Sequence, residues 1–226
     1  MKYDRTLVLA VVVAASACNA APGRPTADSE VIAPSKIVSF DALYASNCAG
    51  CHGANGSGGL ALRLADPVYL AIADDPTIRR VIAEGVPGTA MPAFASTSGG
   101  MLTAEQIDAI VHGMRTRWAH ANELAGADPP PYAATIAGDG KRGADVYAKF
   151  CASCHGADGH GGESASAIVD RSYLALVSDQ RLRTTVIAGR PELGAPDWRN
   201  DLPGTPLSSQ DVSDVVAWLA TWREAR

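Results

Sequence analysis

The sequence predicts an all-α protein folded as two tandem halves of one design, and three observations predict it. Each half ends in a stretch with apolar residues at helical spacing. These are Ile107, Ile110, Val111 and Met114 in the first, and Val212, Val215, Val216 and Leu219 in the second. Long runs of the first half recur in the second, the self-similarity of a repeated supersecondary unit. Around the repeated motifs there is no two-residue alternation of the kind that marks a half-buried strand.

The elements follow in chain order. Met1 to Arg5 carries Lys2 and Arg5, and an apolar or small run from Thr6 to Ala17 ends in Ala15-Ser16-Ala17. That is the pattern of a secretory signal over 1–17, too short to span a bilayer, which takes about 20 residues. Cys18 follows at once and reads as the acylated cysteine of a bacterial lipoprotein, although Ala15 stands where such signals usually carry Leu. Residues 18–35 then read as a flexible tether. The first half is expected over 36–120 and the second over 138–226. Between them, 121–137 contains Asp128-Pro129-Pro130-Pro131-Tyr132, a proline-rich and semi-rigid linker.

Within the halves, Ser39–Tyr44 answers Gly143–Ala148, and Gly53–Gly59 answers Gly156–Gly162. Asp66, Tyr69 and Leu70 recur as Asp170, Tyr173 and Leu174. Asp75 and Arg79 recur as Asp179 and Arg183, and Gly85-Val86-Pro87 as Gly189-Arg190-Pro191. Thr103-Ala104-Glu105-Gln106 fits a capping box that opens the first half's last helix, and Ser208-Ser209-Gln210-Asp211 is close to one.

Composition bounds the function. Of 226 residues, 47% are apolar and 19% charged, an ordinary globular balance. Aromatic residues make up only 6%, which is thin for two small cores, and a large apolar cofactor in each half would compensate. The formal net charge of −5 argues against nucleic acid or an anionic membrane surface as partner.

Four of the five cysteines fall in two identical frames, Cys48-Ala49-Gly50-Cys51-His52 and Cys151-Ala152-Ser153-Cys154-His155. C-x-x-C-H is the attachment motif of haem c. One turn of chain lets both sulfurs form thioethers to the haem vinyl groups while the adjacent imidazole reaches the iron. A zinc site would need a second pair of ligands to close its tetrahedron, and none is left over. A thiol-redox motif would sit in a βαβ context. Two covalently attached haem c groups are therefore expected, on Cys48, Cys51 and His52 and on Cys151, Cys154 and His155.

Each half resembles a class I cytochrome c domain: an N-terminal helix running into C-x-x-C-H-G, short middle helices, a loop with an axial methionine, and a C-terminal helix across the first. The resemblance covers 36–226, and together the halves are similar to the two-domain dihaem cytochromes of bacterial respiratory chains, such as the cytochrome c4 group. It implies electron transfer in the bacterial periplasm, with a respiratory complex, terminal oxidase or periplasmic dehydrogenase as redox partner. Membrane contact would come through the lipid anchor alone, and no catalytic residue is assigned.

The resemblance also assigns sixth ligands, and here the halves part. Met91, in Gly85-Val86-Pro87-Gly88-Thr89-Ala90-Met91-Pro92, matches the family's axial methionine, leaving Met101 and Met114 as alternatives. The second loop, Gly189-Arg190-Pro191-Glu192-Leu193-Gly194-Ala195-Pro196, puts Ala195 at that place, and no methionine follows Met114. An open or water-filled site, a substitute such as His160, or a methionine from another chain remain. Lys141 and Lys149 read as solvated, and His112 and His120 as belonging to the first half's last helix. An open iron raises a rival function, a haem enzyme or small-ligand-binding module; against it, the second half lacks a clear distal His or Arg pair of peroxidase type, although Arg190 and Arg199 flank the loop. A third reading is a subunit of a larger oxidase or dehydrogenase.

Overall fold

The computed structural model describes residues 32–199 and 204–224. The signal segment at 1–17, Cys18 and residues 19–31 of the tether lie outside the described residues. The chain divides into two units, 1–36 and 37–226. In the first, Pro34–Lys36 makes a single 3-10 turn.

The second unit is helical. The first half holds α1 (Phe40–Asn47), α2 (Ala49–His52), α3 (Pro67–Ile72), α4 (Asp75–Glu84) and α5 (Ala104–Trp118). The second repeats the series as α6 (Gly140–Phe150), α7 (Ala152–His155), α8 (Arg171–Leu176), α9 (Asp179–Ala188) and α10 (Ser209–Glu224). Among the described residues there are no strands, only isolated bridges such as Arg190 with Ala195. Nor, among them, is any helix long and apolar enough to cross a membrane.

Side-chain caps set where these helices begin, by satisfying backbone N–H groups that have no partner inside the helix. Asp66 accepts from the Tyr69 amide and Asp170 from the Tyr173 amide, so the Asp-x-x-Tyr recurrence is a repeated cap. Thr103 and Gln106 form the full reciprocal capping box. Ser208 and Asp211 do the same, with the Asp211 amide donating to Ser208 Oγ and the Ser208 amide to Asp211 Oδ2.

The last helix of each half packs across the first, α5 on α1 and α10 on α6. Both apolar stripes face inward: Ile110, Val111, Met114, Val212 and Val215 are all at most 2% exposed. The crossings are close enough to need glycine, because a Cβ on Gly113 would lie 2.0 Å from the Phe40 ring and one on Gly143 2.1 Å from the Asp214 carbonyl oxygen. Arg115 ties α5 to the short helices by donating to the Leu70 and Ala73 carbonyls and to Asp75. Arg223 repeats the arrangement on Leu174, Val177 and Asp179.

Three sequence expectations need adjustment. The pairing of Ser39–Tyr44 with Gly143–Ala148 is one residue out: Tyr44 and Tyr147 are equivalent, because their hydroxyls donate to the carbonyls of Gly53 and Gly156. Arg79 and Arg183 do different work, since Arg79 pairs with Asp108 while Arg183 donates to the Pro131 and Tyr132 carbonyls and to Ser213. His120 lies past the end of α5, its ring 3.6 Å from Glu123.

A single cluster of buried apolar side chains runs through both halves, from Leu43 and Met114 to Tyr147, Ile187 and Val215. The proline-rich segment joins it: Pro130 is buried, Tyr132 lies against Tyr69 with ring centroids 6.4 Å apart, and Gln180 donates to the Tyr132 carbonyl. Helix α3 of the first half packs on α9 of the second.

Candidate haem sites

In each half the N-terminal helix breaks at the first cysteine of the motif and a new short helix starts there, so Cys48 and Cys151 serve as N-caps of α2 and α7. One helical turn later come Cys51 and Cys154, both exposed, and then the histidine. His52 Nδ1 lies 2.7 Å from the Leu62 carbonyl oxygen and His155 Nδ1 2.8 Å from that of Ser166. A carbonyl can only accept, so Nδ1 carries the hydrogen and the Nε2 lone pair is free to bind a metal. The bond to the carbonyl thus fixes tautomer and ring orientation in both halves.

Electrostatics suits attachment rather than thiol chemistry. Burial pushes the Cys48 and Cys151 thiols up to about 11, with Cys51 and Cys154 adding to the rise. A redox or nucleophilic C-x-x-C depends on the opposite shift, toward a stable thiolate. Burial also lowers the pKa of His52, which favours the neutral imidazole that could bind a metal.

The loop after the fourth helix of each half carries the position expected to face the haem from the other side. In the first half the Val86 amide donates to the Met91 carbonyl at 3.0 Å, while Thr89 Oγ1 donates to the Val86 carbonyl and accepts from the Met91 amide. Met91 is half-buried, Met114 is packed in the core and Met101 is 85% exposed, so Met91 alone sits on the loop that the resemblance singles out. In the second half the Arg190 amide donates to the Ala195 carbonyl at 2.9 Å. Glu192 ties that loop to the first half, taking Arg190 Nε at 2.6 Å and Arg63 Nη1 at 3.3 Å.

Two buried nitrogens, Arg63 Nε and Trp198 Nε1, have no hydrogen-bond partner among the described residues. An unpaired buried donor costs about 1–3 kcal/mol, so such atoms point to an acceptor. Arg63 follows the residue that holds His52, and Trp198 lies on the second loop. Carboxylates of a haem in each crevice would satisfy them, and on this ground the residues fit the group.

Arg181 completes the electrostatics. Burial lowers its pKa, it makes no ion pair among the described residues, and although it stands on α9 its charge acts on His52 and Tyr69 of the first half. Sequence reasoning missed Arg63, Arg181 and Glu192, because nothing in their local pattern distinguishes them from solvated charges. Trp198 carried a weak signal, as the aromatic residue that stands where the first loop has Phe94.

The family model for cytochrome C oxidase, cbb3-type, subunit III matches residues 36–112 and again 138–219. The cbb3-type cytochrome c oxidase subunit CcoP of Azospirillum sp. is 30% identical over 187 residues, which span 75% of this chain and 58% of that protein. The FixP subunit of Sinorhizobium medicae is 31% identical over 173 residues, 70% of this chain and 54% of its own. The cytochrome bc1 complex cytochrome c subunit of Mycobacterium bovis is 25% identical over 81% of this chain and 62% of its own. The chain thus spans between half and two thirds of the length of these relatives. With both halves matched, the chain belongs to the cytochrome c oxidase, cbb3-type, subunit III family and carries two covalently attached haem c groups.

Proposed function

We propose that the chain is an electron-transfer cytochrome, not an enzyme, passing single electrons through a haem in each half, 36–120 and 138–226, to or from a respiratory membrane complex. The observation that carries it is the duplicated histidine clamp, His52 on Leu62 and His155 on Ser166, each at the end of a C-x-x-C-H turn. In this reading Cys48, Cys51, Cys151 and Cys154 would form the thioethers, His52 and His155 would each hold an iron through Nε2, and Met91 would supply a second ligand to the first. A haem c supplies a one-electron couple, and thioether ligation raises its potential and fills the coordination sphere. The carbonyl bonds of Leu62 and Ser166 hold each imidazole in one orientation, so little of the protein needs to reorganise when an electron moves.

The respiratory setting rests on the relatives, named as subunits of a cbb3 oxidase and of a bc1 complex. A peroxidase-type reading needs free distal cations, and the two beside the second loop are committed: Arg190 to Glu192, and Arg199 to Asp197 and Glu123. The place of action is the periplasm, with Cys18 as acyl anchor. Cys18→Ser should move the protein from membrane to soluble fraction, and unchanged fractionation refutes the anchor. For the haems the test is content: wild type should yield two haem c per chain by the pyridine haemochrome, and Cys151→Ser with Cys154→Ser one. A single haem in wild type overturns the reading.

A further inference from the structure

The second crevice keeps the backbone of a methionine loop without the methionine. Gly85 and Gly189 both adopt left-handed φ, 69° and 71°, and both are held there by the chain that returns against them. A Cβ on Gly85 would meet the Pro92 carbonyl carbon at 2.5 Å, and one on Gly189 that of Pro196 at 2.5 Å. The Val86 amide closes on the Met91 carbonyl and the Arg190 amide on the Ala195 carbonyl, so Ala195 is the structural counterpart of Met91 and not merely its neighbour in an alignment. A methyl group replaces a thioether, and a methyl group cannot ligate.

Among the described residues of the second half, no other is placed to substitute. The half has no methionine, and its only cysteines are those of the motif. His160 lies on the stretch that runs from His155 to its carbonyl partner Ser166, and its ring stands edge-on to Trp222 with centroids 5.6 Å apart. That places it beside α10, in a pocket that it lines with Ala167, Val169, Asp170, Arg171 and Trp222 and to which no residue of the Ala195 loop contributes. Lys141 and Lys149 are exposed on α6, and Lys149 Nζ sits 4.7 Å above the Phe150 ring. On the loop, Asp197 is held by Arg199, and Glu192 by Arg190 and Arg63. Trp198 Nε1 is unpartnered, but an indole N–H has no lone pair to give. The loop is also braced against collapse, through a 3-10 turn at Pro191–Leu193 and the Arg63–Glu192–Arg190 bridge.

We propose that the second haem crevice provides no protein ligand opposite His155 and is a binding site for small neutral π-acceptor molecules, while the first crevice, closed by Met91, is not. This rests on the dihaem reading. The chemical class follows from the site: a ferrous iron held by one imidazole would take carbon monoxide by donation from the carbon lone pair and back-donation from the metal, displacing at most a water and transferring no electron away. Absence of the thioether also predicts that the second haem has the lower potential.

The test uses the full-length holoprotein with carbon monoxide as the probe. Haem content is measured first, and fewer than two haems per chain means that the dihaem reading has failed, not this one. With two haems present and reduced, one carbon monoxide per chain is expected to bind, alongside a high-spin ferric signal for one haem only. Met91→Ala should raise uptake to two, and Ala195→Met should abolish it. Two low-spin haems with no uptake would overturn the proposal, as would two carbon monoxide molecules bound by wild type. Should Ala195→Met fail to fold, wild-type stoichiometry and spin state decide alone.

Discussion

At the scale of the residue, the fold spends buried polar groups sparingly and pairs nearly all of them. Asp214 is 2% exposed in the middle of α10, where a bare carboxylate would be costly. Its oxygens take the Asp139 amide at 2.6 Å, Arg142 Nε and Nη2 at 2.9 and 3.0 Å, and Gln210 Nε2 at 2.8 Å. Burial alone would raise its pKa, but Arg142, the Asp139 amide and Gln210 together hold it below the ordinary carboxylate value. The folded state therefore binds this proton less readily than the unfolded chain. Its stabilising contribution is full above the unfolded value of about 4 and is lost as pH falls through the lower folded value. Asp214→Asn should lower the melting temperature by a few degrees at pH 7, with the gap to wild type closing in acid. Parallel melting curves from pH 7 to pH 2 would show that the carboxylate contributes nothing through its charge.

At the scale of the element, what could be read from sequence was what local chemistry encodes. The C-x-x-C-H turns, the Asp-x-x-Tyr caps, the Thr103 capping box and the inward stripes of α5 and α10 each depend on a few neighbouring residues and recur in the structure where the pattern placed them. The slip in pairing the first helices has a simple origin. Identity pairs Asp41 with Asp145, whereas the constraint is distance from the cysteine: Tyr44 and Tyr147 both stand four residues before it so that their hydroxyls reach the next glycine carbonyl. Arg115 and Arg223 escaped notice for a related reason. Arg115 directly follows the last stripe residue of its half and Arg223 comes four after its own, so a linear comparison does not align them. Yet both reach the carbonyl ends of the preceding short helix and an aspartate at the start of the next.

At the scale of the whole molecule, the halves are coupled by charge, which no local pattern announces. The Arg63–Glu192–Arg190 bridge joins the residue beside Leu62, which holds His52, to the loop of Ala195. Arg181 reaches further: it belongs to the second half but acts on His52, and burial keeps its charge from being screened as a surface cation would be. A cation near a haem favours the state with the extra electron. Arg181 should therefore hold the first haem's potential up, in the same direction as the proposed Met91 ligation, and would steepen the proposed drop from second haem to first. At an effective dielectric near 20, removing such a charge is worth on the order of 1 kcal/mol, or tens of millivolts for one electron. Arg181→Gln, which removes the charge while keeping a polar, shorter side chain, should lower the first haem's midpoint by that amount and move the second's by less. Spectroelectrochemical titration with the two haems resolved reads both values at once. An unmoved first midpoint, or a larger shift in the second haem than in the first, would mean that Arg181 serves packing between α9 and α3 and leaves the potential to the axial ligands.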